Sequence, residues 1–408
     1  MRRVVVTGMA GITALGETWD TIETQLRAGK NAVRMMPEWD YVEALNTRLG
    51  APADGFQIPG HYPRKMVRSM GRVSLMSVRA TEVALQQAGL LEDASIRDGR
   101  MGIAYGSSAG SVDPVRVFGR MLETGSMQGV TSTSYIQMMA HTTAVNIGLF
   151  FGLKGRVIPT SSACTSGSQG IGYAYEAIKW GRQPLMVAGG AEEISVPGAA
   201  VFDTLFATST KNDSPKLTPR PFDKARDGLV IGEGAASLIL EDLDHALARG
   251  ATPLAEIVGY ASTSDGTHVT QPEADTMGKA MMLALEDACL APEAIDYVSA
   301  HGTATDRGDI AESQATNSVF GPRIPISSMK SYLGHTLGAC GAIEAWWGIE
   351  MMQNSWFAPT LNLTEPDPAC AALDHLEIGG RSIAAEYLMS NNFAFGGINT
   401  SLIFKRFS

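Results

Sequence analysis

Two segments of this chain share one local plan: an apolar run, a serine-rich turn, then a helix of small residues. Residues 155–159 (Gly-Arg-Val-Ile-Pro) lead through Ser161, Ser162, Ala163, Cys164, Thr165 and Ser166 into a helical stretch from Gly167 to Trp180. Residues 324–327 lead through Ser328, Lys330, Ser331 and His335 into another, from Gly338 to Met352. A repeat of this kind predicts two duplicated halves. The two helices then face each other across a pseudo-twofold axis, and the residues at their N-terminal ends converge. Further strand candidates lie at 3–6, 101–104, 185–188, 236–240, 255–260, 297–300 and 402–405, and further helical candidates at 74–88, 276–288 and 310–319. Alternation of this sort implies an α/β architecture of buried sheets flanked by helices. The clearest change of character falls where an acidic helical run, 241–249, ends at Gly250. The expected halves are therefore 1–252 and 253–408.

Length and charge narrow the function. A chain of 408 residues, 45% of them hydrophobic, can bury a large core. A formal charge of -10 argues against nucleic acid as the main partner. The four cysteines, 164, 289, 340 and 370, have no metal-ligand spacing and read as reduced thiols of a cytoplasmic protein. Arg2 and Arg3 precede too short an apolar run for a signal peptide. The oiliest stretch, 144–153, is too short and too interrupted by glycine to span a bilayer. Residues 7–16 lack the GxGxxG spacing, and no GxxxxGK[ST] phosphate loop exists, so neither dinucleotide nor P-loop chemistry is expected.

Cys164 stands at the mouth of a helix, where free backbone N–H groups and the positive dipole end favour a thiolate. A nucleophile and a buried structural cysteine both fit that position. His301 follows a strand candidate and His335 precedes a helix; both sit in Gly-rich turns at strand ends, where α/β sheets place ligands. Together with Cys164 in the matching half they form a coherent set. His268 is intermediate, while His61, His141, His245 and His375 read as surface or packing residues. Lys330 can tune two imidazoles, hold a carboxylate or be a surface charge. Glu312, three residues after Asp309, reads as charge complementarity at a helix start. The run 390–399 (Ser-Asn-Asn-Phe-Ala-Phe-Gly-Gly-Ile-Asn) can supply oxyanion N–H groups and a phenylalanine gate, or be an ordinary packed loop.

These motifs, in this order, resemble those of the β-ketoacyl-acyl-carrier-protein synthases of the type I/II class. The resemblance runs end to end. It includes Ala163-Cys-Thr-Ser-Gly, Gly189-Gly-Ala-Glu192, the stretch 220–228, His301-Gly-Thr, the stretch 330–335 and the stretch 392–399. It implies a thiolase-like five-layer α-β-α-β-α fold from two duplicated halves. It also implies decarboxylative Claisen condensation of a malonyl-acyl-carrier protein with an enzyme-bound acyl group, in fatty acid, polyketide or polyene synthesis. Cys164 becomes the acyl acceptor, His301 and His335 the pair handling decarboxylation, Lys330 the support of His335 and Glu312 a structural acid. Thr303 and Thr305 reach the pantetheine arm. Phe395 gates the acyl tunnel, and its N–H joins that of Cys164 in an oxyanion hole. No metal or other resident cofactor is implied, since the substrates ride on the carrier's phosphopantetheine. The implied partners are an acyl carrier protein and a second copy of the chain, or a chain-length-factor-like subunit.

An acidic carrier needs local positive charge on this acidic chain. Arg64, Lys65, Arg68 and Arg72 are read as docking residues, with 64, 68 and 72 on one helical face, and Lys211 is another. The tunnel draws on residues 107–112 and on Met138 and Met139. Four departures from the family pattern stand out. Ala394 replaces a gate glycine, restricting the backbone if φ > 0 is needed. Ile398 replaces a threonine, Asp306 a common proline, and Leu229 a common phenylalanine. They point to a specialised synthase, working with a chain-length-factor subunit in secondary metabolism, as the alternative to a housekeeping enzyme. A thiolase is disfavoured because the C-terminal Gly-rich segment holds no cysteine, and a type III ketosynthase because a second histidine replaces its asparagine.

Overall fold

The computed structural model describes residues 1–407. Its first half contributes β1 (Val4–Thr13), β2 (Met101–Gly106), β3 (Val157–Thr160), β4 (Leu185–Glu192) and β5 (Gly234–Asp242). The second contributes β6 (Ala255–Ser264), β7 (Tyr297–Ser299), β8 (Pro325–Ser327), β9 (Tyr387–Ala394) and β10 (Ile398–Arg406). From outer edge to centre the order is β3-β2-β4-β5-β1 in the first half and β8-β7-β9-β10-β6 in the second. In each half the first two pairings are parallel and the next two antiparallel. The second half therefore repeats the first strand for strand. Val4–Val6 of β1 pair with residues 255–257 of β6, and Asp374–His375 extends the far edge, giving one continuous 11-stranded sheet.

Helices cover both faces. On the outside of the first half lie α1 (Arg72–Gln87) and α2 (Thr142–Phe151), whose Met76, Leu85 and Ile147 pack with Ile103 and Val187. Between the halves lie α3 (Ser166–Lys179) and α6 (Cys340–Gln353). Outside the second half lie α4 (Ala274–Ala288) and α5 (Asp306–Phe320), with Met281, Leu285 and Ala315 against Met389 and Ile403. The layers are the expected α-β-α-β-α. Position in that stack explains composition. Helix α6 buries nearly every residue, Trp346 and Trp347 included, because sheet strands pack on more than one side of it, so it shows no polar face.

Most expected elements are present, with longer strands than the pattern suggested. Strand β9 is the exception. Its Ser390, Asn391 and Asn392 are fully buried, and polar residues inside a strand hide the apolar signature. Helix α2 and a helix at Val112–Thr124 were also not foreseen.

The two central helices meet backbone to backbone. An added Cβ at Gly167 would lie 2.9 Å from the Gly338 carbonyl oxygen and 3.0 Å from the Ala342 nitrogen. One at Gly341 would lie 2.8 Å from the Ser168 nitrogen and 2.6 Å from Asn392 Oδ1. Only glycine lets the helix mouths come this close. Gly341→Ala is expected to lower unfolding stability by about 1–3 kcal/mol through overpacking. Gly119→Ala, within an exposed helix and with nothing within 4 Å of the added carbon, is expected to raise it by about 0.5–1 kcal/mol. Denaturant melts of the two variants check both signs.

Candidate active site

Each half delivers a tight turn to the central contact. The turn Ala163–Thr165 opens α3 with Ala163 at φ 49, and the turn Leu337–Ala339 opens α6 with Leu337 at φ 48. By that equivalence Cys164 occupies the place that Gly338 holds in the other half. Cys164 is 4% exposed, and its Sγ lies 2.9 Å from His335 Nε2. Main-chain bonds fix His335: its N–H donates to the Val230 carbonyl at 2.6 Å, and its own carbonyl accepts from Gly232 at 2.8 Å. Its Nδ1 accepts the Leu337 N–H at 3.3 Å.

His301 arrives from the end of β7. Its backbone N–H and that of Gly302 donate to the two oxygens of Glu312, at 2.7 and 2.6 Å. Glu312 thus holds the turn that carries a histidine, a more specific task than charge complementarity at a helix start. The rings of His301 and His335 stand at 87° with centroids 5.2 Å apart. One ligand atom from each of Cys164, His301 and His335 falls within 4.8 Å of the others. The structure brings together the three residues singled out in the sequence.

Lys330 holds a carboxylate, one of the roles its position allowed. Its ammonium bonds Glu344 Oε1 at 2.5 Å, both groups buried, and makes no hydrogen bond to His335. The other oxygen of Glu344 accepts from Asn392 Nδ2 at 2.7 Å, and that same nitrogen stands 3.5 Å from His301 Nδ1. Glu344 and Asn392 were not foreseen. The available signal was a carboxylate inside the apolar run 342–352, which demands a buried cation. Burial pulls the Lys330 ammonium down, but Glu344 outweighs it and leaves the group above its usual value. Burial, aided by the Lys330 charge, holds both histidines well below their usual value, so both imidazoles are neutral. Burial also pushes Glu312 up to about 8.

For the thiol, the sequence expectation fails in sign. Burial pushes Cys164 up to about 12, while Lys330 and the N–H groups of Phe395 and Cys164 pull the other way. Desolvation outweighs the helix mouth because the sulfur is almost wholly buried.

Two cavities meet at Cys164. The outer one, about 500 Å³, is lined by Thr303, Thr305, Leu229 and His268. The inner one, about 360 Å³, is lined by Ser108, Ala109, Gly110, Val112 and Val115 among others. Phe395 and Phe202 border both, their ring centroids 5.1 Å apart. Phe202, in a featureless apolar segment, gave no sequence signal. Met138 and Met139 do not line the inner cavity; their backbone instead backs Gly110. Ala394 is extended and has no positive φ; Gly396 and Gly397, at φ 86 and 71, make the turn. That turn is tied to the loop 265–270. Gly396 N–H donates to Val269 and Asp265 N–H to Gly397, each at 2.8 Å, and Asn399 Nδ2 to Asp265 at 2.7 Å.

The docking residues fare unevenly. Arg64 and Lys65 lie in a four-residue helix that ends at Val67, and Arg72 opens α1 beyond a break, so 64, 68 and 72 do not share a helical face. Arg72 is committed to Glu233 at 2.7 Å, and Lys211 to Asp227 at 2.9 Å. Arg64, Lys65 and Arg68 remain exposed. Among the other histidines, His61 pairs with Glu82 and His245 with Glu241, while His375 packs on Phe222.

Two halves of one strand order, with a cysteine at one helix mouth and two histidines brought from the other half, define a thiolase-fold condensing enzyme. The chain belongs to the beta-ketoacyl synthase family: residues 1–246 match the model of its N-terminal domain and 254–364 that of its C-terminal domain. It is 36% identical, over the full length of both, to 3-oxoacyl-(acyl-carrier-protein) synthase 1 of Haemophilus influenzae. Among solved structures it is similar to a beta-ketoacyl synthase from Burkholderia phymatum, with 68% identity and TM-score 0.99 over all of both chains. The ishigamide ketosynthase/chain length factor matches at 30% identity and TM-score 0.91, also over all of both chains.

With the thiol raised to about 12, the neutral form prevails at pH 7 and thiolate grows with every step upward. Alkylation of Cys164 by iodoacetamide is expected to quicken about tenfold per pH unit from pH 7 to 10 without levelling. Lys330→Ala, which removes the nearby cation, is expected to slow it further at each pH. A plateau below pH 8 would contradict this ordering.

Proposed function

We propose that this chain condenses an acyl group held on Cys164 with a malonyl unit presented on acyl carrier protein, lengthening the chain by two carbons. The observation that supports it most directly is the dry trio: Cys164 Sγ at 2.9 Å from His335 Nε2, with both imidazoles neutral and His301 beside them. In the first step Sγ attacks the thioester carbonyl, whose oxygen meets the N–H groups of Cys164 and Phe395. The carbon–sulfur bond to pantetheine breaks, and the thiol proton leaves on the pantetheine sulfur. No net base is needed, which suits a thiol that burial keeps protonated.

In the second step the malonyl carboxylate departs as CO₂, and its bonding pair forms a thioester enolate. The Nε2–H groups of His301 and His335 donate to the enolate oxygen. Its carbon attacks the acyl carbonyl on Cys164, and the sulfur leaves, taking up one proton from solvent. The work asked of the histidines is donation rather than proton removal, and loss of one such donor costs typically about 10²–10³ in rate. Thr303 and Thr305, whose hydroxyls lie 2.9 Å apart in the outer cavity, would meet the pantetheine arm there. Glu312 and Lys330 act from behind, as positioning groups. This chemistry asks for no resident metal or redox cofactor. We assign the reaction to the cytoplasm, where the four free thiols stay reduced. Arg64, Lys65 and Arg68 are the docking cations this reading retains.

Intact mass tests it. Incubation with a panel of acyl-carrier proteins is expected to add one acyl group to the wild type and none to Cys164→Ala. Phe395→Ala, which opens one cavity to the other, is expected to retain acylation but to weaken discrimination between acyl-primed and empty enzyme. An adduct that persists on Cys164→Ala would sink the assignment, and absence of any adduct on the wild type would mean a missing partner subunit or a wrong assignment.

A dimer completes the reading. Strand β3 is an open sheet edge with Val157 exposed, and the inner cavity reaches Val115 and Val201, which are also exposed. Unpaired edges and apolar rims of this kind call for a cover. A second copy is the partner proposed, with a chain-length-factor-like subunit, as in the ishigamide pair, the alternative. Mass photometry of the purified chain is expected to show twice the 43.3 kDa of one copy. A monomer that forms a stable complex only with another subunit would favour the alternative.

A further inference from the structure

One sulfur and two imidazoles within 4.8 Å, all buried, have the composition of a zinc site with an open fourth position. Zinc there would occupy the nucleophile. Whether it can bind depends on which ring nitrogen carries the proton, because a neutral imidazole has one N–H and one lone pair, and a metal takes the lone pair. A zinc-binding histidine almost always donates its other N–H to a carboxylate, carbonyl or water. Here both Nδ1 atoms face donors instead. The Leu337 backbone N–H points at His335 Nδ1 at 3.3 Å, and the amide nitrogen of Asn392 lies 3.5 Å from His301 Nδ1.

The orientation of that amide is set by its other neighbour. The Asn392 nitrogen is 2.7 Å from Glu344 Oε2. Only an N–H is tolerated so close to a carboxylate, and Lys330, 2.5 Å from the other oxygen, keeps that carboxylate in place. Asn392 Oδ1 has no hydrogen-bond partner, so the amide is turned by Glu344 and not by any demand of its own oxygen.

We propose that Asn392, held by the Lys330–Glu344 pair, fixes His301 with its proton on Nε2 and thereby denies zinc the His301 lone pair beside Cys164. The same N–H is the one with which His301 hydrogen-bonds the enolate oxygen, and to that extent the inference rests on the function proposed above. Asn392 is a positioning residue: it acts through the imidazole and makes no hydrogen bond to the Cys164 sulfur.

The probe is Zn²⁺ alone, titrated against a chromophoric chelator. Asn392→Asp, whose carboxylate can accept an Nδ1–H, is expected to bind zinc at least about tenfold more tightly than wild type, in line with outer-shell effects on metal affinity. Bound zinc should protect Cys164 from iodoacetamide until EDTA is added, and Cys164→Ala in the Asp background should abolish the gain. Equal zinc affinity of the two folded proteins would overturn the proposal. A carboxylate beside Glu344 can also unfold the variant, so the wild type is read independently. In ¹⁵N–¹H spectra of histidine-labelled protein, with His301 assigned by its loss in His301→Gln, the proton is expected on Nε2. A proton on Nδ1 would overturn the proposal without any variant. Neither readout uses turnover, so its failure is distinguishable from failure of the acylation experiment.

Discussion

The site depends on one contact, the meeting of α3 and α6 through Gly167 and Gly341. With no side chain between them, the turns that begin the two helices lie against each other, and each half can place a residue in the other's field. Cys164 comes from the first half and His335 from the second, yet their reactive atoms are within hydrogen-bond distance. The duplication supplies two similar turns, and their divergence makes chemistry possible. One turn keeps a cysteine where the other has shed its side chain to become Gly338. A symmetric pair would have put two thiols, or none, at the same spot.

Burial then governs the electrostatics. The central layer is buried, so each titratable group in it either has a partner or shifts toward its neutral form. The histidines and the Cys164 thiol shift. Lys330 and Glu344 instead pair, and their pairing is completed by the Asn392 amide. A buried ion pair is a weak source of stability, because desolvation offsets most of the attraction. Its persistence here is better understood as positioning: a fixed charge behind two neutral imidazoles, and a fixed acceptor for the amide beside one of them.

Much of this was legible in the sequence, and the illegible part has a common cause. The strand, turn and helix around Cys164 and around His335 announce themselves by glycine, serine and small residues, and the two-half reading follows. Strand β9 hid because its buried asparagines and serines satisfy the chain's interior and not its surface. Which carboxylate Lys330 holds was not legible because that partner, Glu344, lies on a helix whose other residues are almost all apolar or small, and spacing alone cannot say which way a side chain faces. The thiolate expectation failed for a similar reason. A helix mouth is a local feature visible in sequence, whereas dryness depends on everything packed above it. The broken helix between Arg64 and Arg72 shows the limit of periodic spacing over only nine residues.

The sheet order also has a consequence for the order in which the chain can become structured. β1 leaves the ribosome long before its partners β5 and β6, residues 234–242 and 255–264. At about 5–20 residues per second, an entirely apolar-facing strand waits more than ten seconds for the first of its neighbours. The second half has the same plan, with β6 awaiting β10, Ile398–Arg406. Each half is thus closed by its last strand returning to its first. A ribosome carrying an incomplete chain holds out an unpaired, fully buried-type strand throughout, and the nascent polypeptide needs shelter for most of its synthesis.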